Sequence, residues 1–207
     1  MKHEKSDHTK VDALIEQAKA GSLLFPADYL AVGSAASIHK IFSRLAKDKK
    51  VIRLAKGIYL KPKHDPELGI LYPSTDEIAT KITKNEKVVI RPTGSYALNK
   101  LGLSTQVPTK VVFLTDGSPR KIKIGKGSIT FKSTTPKKLA AKNELVFLAS
   151  QALMALDKDG LTEKVFDHLV KVLSHQPPED IREGARLSPG KVAATLYKVA
   201  DKIAHHA

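Results

Sequence analysis

Lys40, Ser43, Arg44 and Lys47 stand three and four residues apart, a spacing that lines up two ammonium groups, a hydroxyl and a guanidinium on one face of a helix. Side chains of this kind donate to base edges in a major groove or pair with phosphates, and a guanidinium such as that of Arg44 matches the two acceptors of a guanine. Ser34 and Ser37 extend the face towards the helix start, and Ala36 keeps it low enough for close approach. Arg53, Lys56 and Lys61 follow around a glycine turn, placed for phosphates or a minor groove more than for reading sequence.

No comparable constellation for catalysis occurs. His64-Asp65, Asp157, Asp159 and Asp167-His168 lack the spacing of a metal site or a nucleophilic triad. Gly125-Lys126-Gly127-Ser128 has phosphate-loop letters but is flanked by two strands, whereas such a loop requires a following helix. The chain contains no cysteine, which excludes disulfides and thiolate metal sites. The expectation is a protein that is not an enzyme and takes neither metal nor cofactor.

The elements that must carry the cationic face are legible around it. Ile38, Ile41, Phe42 and Leu45 recur at i, i+3, i+4 and i+7 and form the buried stripe of the same helix, with Ser34 as its N-cap. Val51, Ile52 and Leu54 lead into Lys56-Gly57, and Ile58, Tyr59 and Leu60 lead out, which predicts a hairpin. Upstream, Val11, Leu14, Ile15 and Ala18 form a helical stripe, and Pro26 opens a short helix with Tyr29 and Leu30 turned inward. Helix, helix, helix and hairpin in this order make a winged helix-turn-helix unit. Tyr59 reads as a core residue of the hairpin rather than a stacking platform, and Arg44 has a surface partner in Asp48 at i+4 as an alternative to phosphate.

Thirty-five Lys and Arg against 21 Asp and Glu in 207 residues give a formal charge of +14, which points to a polyanionic partner. The opening residues lack the apolar core of a signal peptide and no apolar run reaches membrane-spanning length, so the expectation is a cytoplasmic protein without a membrane partner. Lys2, His3, Lys5 and His8 suit a flexible arm over residues 1–8, followed by the winged unit over 9–62. His205-His206 is too short to be a metal tract.

Pro62, Pro66, Gly69 and Pro73 mark residues 63–73 as a linker, and a C-terminal α+β domain is expected over 74–207. Ser74 to Glu77 resembles a helix start carrying Ile78, Ala79 and Ile82 inward, Lys87 to Arg91 a short strand, and Thr93 to Leu101 a helix ended by Gly102. Thr93-Gly94-Ser95 reads as a capping turn in preference to an anion nest. From Lys110 the period becomes two, predicting strands at Val111–Leu114, Ile122–Ile124 and Ile129–Phe131 in a small antiparallel sheet. Arg120, Lys121, Lys123 and Lys126, with Arg91, give it a second basic surface. Helices follow near 144–156, 161–173, 178–187 and 188–205.

Ser43-Arg44-Leu45, Val51-Ile52-Arg53-Leu54 and Lys56-Gly57-Ile58-Tyr59, together with Arg91-Pro92-Thr93-Gly94-Ser95-Tyr96-Ala97-Leu98, Leu101-Gly102-Leu103 and Val111-Val112-Phe113-Leu114-Thr115, resemble the AbiEi-like antitoxins over most of the chain. The resemblance implies an antitoxin of a type IV toxin-antitoxin system that represses its own operon by binding promoter repeats. It also implies a nucleotidyltransferase-like toxin that is opposed without a stable complex. The expectation for the protein itself is a monomer or an oligomer assembled on double-stranded promoter DNA. Two other readings stay open at this point: a direct toxin binder using the basic sheet face around Lys121 and Lys123, and an RNA-binding protein using that same face.

Overall fold

The computed structural model describes residues 6–156 and 160–205; Asp157, Asp159, His206 and residues 1–5 of the expected arm lie outside them. The fold is α+β. It divides into two units, Met1–Asn85 with Lys121–Gly127 and Glu86–Arg120 with Ser128–Ala207.

In the first unit, α1 (Asp7–Gln17) begins where the Ser6 hydroxyl accepts the Thr9 amide, so residues 6–8 belong to a cap and a first turn. After β1 (Leu23–Leu24) comes a single 3-10 turn, Pro26–Tyr29, in place of the expected middle helix. Leu30 falls just beyond that turn and is exposed, contrary to its expected inward position, while the Tyr29 ring meets Phe42 edge-on at 5.2 Å. The helix α2 (Ala35–Lys47) buries Ile38, Ile41, Phe42 and Leu45, the four residues of the expected stripe. Its chain exit is turned by Lys49, which adopts φ 58°.

The strands β2 (Ile52–Ala55) and β3 (Ile58–Leu60) pair antiparallel through Gly57 at φ +74°, a conformation that costs a residue without a Cβ little. β3 lies between β1 and β2, and Tyr59 is buried against Phe42 at 4.9 Å between ring centroids, in the core position expected of it. Within the stretch read as a linker, β4 (His64–Asp65) and β5 (Gly69–Ile70) form a second small hairpin. The helix α3 (Thr75–Glu86), expected to open the C-terminal domain, belongs up to Asn85 to the first unit, which Lys121–Gly127 completes. Its start is a reciprocal capping box, with the Ser74 amide donating to Glu77 Oε2 at 2.7 Å and the Glu77 amide to Ser74 Oγ at 3.2 Å.

The second unit begins with β6 (Ile90–Thr93) and α4 (Ser95–Lys100), for which Gly94 supplies the cap position without a side-chain hydrogen bond. β7 (Lys110–Thr115) and β9 (Gly127–Ser133) follow; β8 (Arg120–Ile124), counted from Lys121 onward with the first unit, comes last in the strand order β6-β7-β9-β8. The expectation of an antiparallel sheet is corrected here: β6 and β7 are antiparallel, but β7 and β9 run parallel, with Val111 opposite Ile129 and Phe113 opposite Phe131. Parallel neighbours need a crossover, and the excursion through β8 supplies it.

The helices α5 (Pro136–Leu139), α6 (Glu144–Ala155), α7 (Glu163–Leu173), α8 (Pro178–Arg186) and α9 (Gly190–Ala204) complete the unit. Its core gathers Val146, Ala149 and Leu153 of α6 with Leu169, Ile181, Leu196 and Val199 from the later helices. Gly184 permits the approach of α8 to α6, since a Cβ there would lie 2.2 Å from Val146 Cγ1.

Candidate nucleic-acid interface

The four core residues of α2 face the first unit's interior, so the opposite side of the same helix is left to solvent by helical geometry alone. Lys40, Ser43, Arg44 and Lys47 are all exposed, and none has an ionic partner among the described residues. The pairing of Arg44 with Asp48 is therefore not made. On the hairpin, Arg53 and Lys56 are exposed as well, while Leu54 and Ile58 hold the two strands to the core.

α2 and the turn that follows it are tied to α1. In that turn, three residues beyond the helix, Lys50 Nζ contacts Asp12 Oδ2 at 2.7 Å, and the hydrogen bond to that carboxylate raises the lysine's pKa. At the N-terminal end, the Ser34 hydroxyl accepts the Ser37 amide at 3.2 Å, and the Ser37 hydroxyl donates to Asp7 Oδ2 at 3.4 Å. The Asp7 carboxylate lies so close to Gly33 that a Cβ there would sit 2.4 Å from Oδ2. Ser34 and Ser37 thus act in the cap and its anchor. Asp7 falls within the residues expected as a flexible arm; the sequence signal for its helix is Ser6 three residues ahead of Thr9.

Lys61 is committed elsewhere. Its ammonium donates to the carbonyls of Ile15 at 2.8 Å and Glu16 at 2.5 Å, at the C-terminal end of α1, where a cation meets the negative end of the helix dipole. The expected phosphate contact is replaced by this cap.

The second basic surface separates into two sets. Arg91 is mostly buried, pairs with Glu144 and lies over the Phe147 ring at 5.8 Å. Arg120 grips Glu86 with both terminal nitrogens, at 2.7 and 2.5 Å, and lies over Phe131 at 5.4 Å. These two guanidiniums serve the interior of the second unit. Lys121, Lys123 and Lys126 are exposed, on either side of the buried Ile122 and in the turn after β8. Their segment, Lys121–Gly127, belongs by its contacts to the first unit rather than to the C-terminal domain that was expected to carry it.

Among the described residues no group of three or more histidines or carboxylates converges as a metal site would need. No helix of the described residues is long and apolar enough to cross a membrane.

A family model, DUF6088, described as a family of unknown function, matches residues 10–181. The chain belongs to DUF6088. The matched region of this DUF6088 chain includes α2, the β2–β3 hairpin and the first turn of α8. No curated protein matches the sequence. Among solved structures, the crystal structure of the RV2827C protein from Mycobacterium tuberculosis is similar at 12% identity and a TM-score of 0.42, over 92% of this chain and 80% of that one.

Proposed function

We propose that the first unit is a winged-helix DNA-binding domain, with α2 as its recognition helix and the β2–β3 hairpin as its wing. In this reading the protein is the antitoxin and autorepressor of a type IV toxin-antitoxin operon. The observation that carries the DNA-binding part is the division of α2: four apolar residues buried, and Lys40, Ser43, Arg44 and Lys47 exposed without ionic partners among the described residues, beside a hairpin bearing exposed Arg53 and Lys56. A helix tied to α1 at its start by Ser37 and Asp7, and followed by the Lys50–Asp12 pair, presents these groups from a supported position, which lowers the ordering cost of docking in a groove.

The net charge of +14 supports a polyanionic partner. The resemblance to AbiEi-like antitoxins supplies the biological setting: double-stranded promoter DNA as the ligand, a nucleotidyltransferase-like toxin opposed without a stable complex, a cytoplasmic location and no catalytic role of its own.

The test is binding of the purified protein to its own upstream DNA and to a scrambled duplex across a salt series. Preference for the native fragment at physiological salt is expected, and Arg44→Ala should reduce that preference by about 1–3 kcal/mol, the worth of a bidentate base contact. Equal binding to both duplexes that collapses with salt would leave only counterion release and remove the reading role of α2.

A further inference from the structure

The first unit also holds a cleft of about 810 Å³ that the α2 face does not use. Its lining brings together Lys19 from the turn after α1, Lys63 from the segment after β3, Lys81 from α3 and the ring of Tyr72, with Asp76 and Glu77 at the start of α3. The two carboxylates have partners within the protein. Glu77 accepts the Ser74 amide and lies in the field of Lys19, and Asp76 is engaged as well. Lys63 and Lys81 are exposed.

Tyr72 is half-buried and lines the cleft, and the hairpin turn at Gly125 comes up against it: a Cβ at Gly125 would stand 3.6 Å from Tyr72 Cε2. Gly125 belongs to the first unit by its contacts, so ring and turn lie in the same unit, and the exposed Lys126 follows directly. A supported aromatic ring in a concave site with ammonium groups from separate elements is the arrangement that stacks an unpaired base and neutralises its flanking phosphates. A base inside a duplex has its faces covered by its neighbours and offers nothing to such a ring.

We propose that this cleft binds single-stranded nucleic acid, with a base stacked on Tyr72 and phosphates held by Lys63 and Lys81. The site is separate from α2 and does not depend on α2 reading a duplex.

The experiment is fluorescence anisotropy of labelled oligothymidylate and oligouridylate, each of about a dozen nucleotides, with the full-length protein over a salt series. Wild type should bind. Lys63→Gln with Lys81→Gln should flatten the salt slope by about 1.4, two phosphate contacts on a single strand. Tyr72→Leu should weaken binding by about tenfold, while Tyr72→Phe, which keeps the ring, should not. In an Arg44→Ala background Tyr72→Leu should have the same effect, because the ring is separate from α2. The two oligonucleotides separate a DNA from an RNA ligand, since preference for oligouridylate would assign the site to RNA through its 2′-hydroxyls. The proposal is overturned if neither oligonucleotide binds, or if the paired lysine variant binds with unaltered slope. The lysine variant decides the matter even where Tyr72→Leu disturbs folding, because both lysines are exposed.

Discussion

Replacing Lys61 by Met retains the aliphatic stem and deletes the charge, and the structure assigns that charge to folding. The ammonium donates to Ile15 O at 2.8 Å and Glu16 O at 2.5 Å. A hydrogen bond with a charged donor contributes about 1.5–3 kcal/mol, and a cation at a helix C-terminus about 0.3–1 kcal/mol. One ammonium serves both carbonyls, and that of Glu16 is exposed, so water replaces the lost donor there. Taking one bond at the low end of its range with the dipole contribution gives a loss of about 2 kcal/mol. For a unit of this size that lowers the melting midpoint by about 8–16 °C. The assay pairs thermal and urea unfolding with a salt series on the upstream DNA. The Lys61→Met protein should be less stable and keep the wild-type salt slope, whereas Lys56→Gln should be as stable as wild type and lose about 0.9 of slope. Unchanged stability in Lys61→Met together with a lost unit of slope would return Lys61 to the phosphate backbone and refute the capping argument.

Two further outcomes bear on stability. Gly184→Ala introduces a Cβ at 2.2 Å from Val146 Cγ1, so overpacking should destabilise the second unit by about 1–3 kcal/mol, and Val146→Ala should recover part of it in the double variant; a single variant as stable as wild type by urea unfolding would contradict the close approach of α8 and α6. Asp65 and Glu77 have lowered pKa values, Asp65 through the amides of Leu68 and Glu67, Glu77 through the amide and hydroxyl of Ser74. A depressed folded-state pKa contributes stability that is present above the ordinary carboxylate value and lost as pH falls through the lowered one. The first unit should therefore weaken on acidification below the ordinary carboxylate range, and Asp65→Asn with Glu77→Gln should flatten that fall in urea unfolding at stepped pH; parallel curves for the two proteins would exclude the linkage.

What could be read from the sequence is what is local. The stripe Ile38, Ile41, Phe42 and Leu45 follows from a 3.6-residue period, and Ser34 and Gly57 mark a cap and a turn through their own chemistry. Partners distant in sequence were not legible. Lys61 meets a carbonyl 46 residues away, and Arg120 meets a carboxylate 34 residues away, so both looked like surface cations until the chain brought the acceptors to them. The parallel pairing of β7 with β9 was equally hidden, because alternation gives the faces of strands and not their neighbours. The cleft lined by Lys19, Lys63 and Lys81 draws on three segments with no shared motif.

The same distinction decides how the positive charge should be interpreted. A formal +14 spread evenly would attract any polyanion and specify no site. In this fold part of the charge is sorted. Lys50, Lys61, Arg91 and Arg120 are each paired with a carboxylate or a carbonyl, and each of these pairings joins segments far apart in the chain. Lys40, Arg44, Lys47, Arg53 and Lys56 are left exposed without ionic partners among the described residues, on one helix and the hairpin that follows it. Removing a satisfied cation leaves its acceptor to water and lowers stability, whereas removing an exposed one costs the fold little and subtracts counterions from the binding equilibrium. The slope of affinity against salt, measured one cation at a time, therefore separates the two sets: a slope that falls for the α2 and hairpin residues and holds for Lys61, Arg91 and Arg120 places nucleic acid on the α2 face.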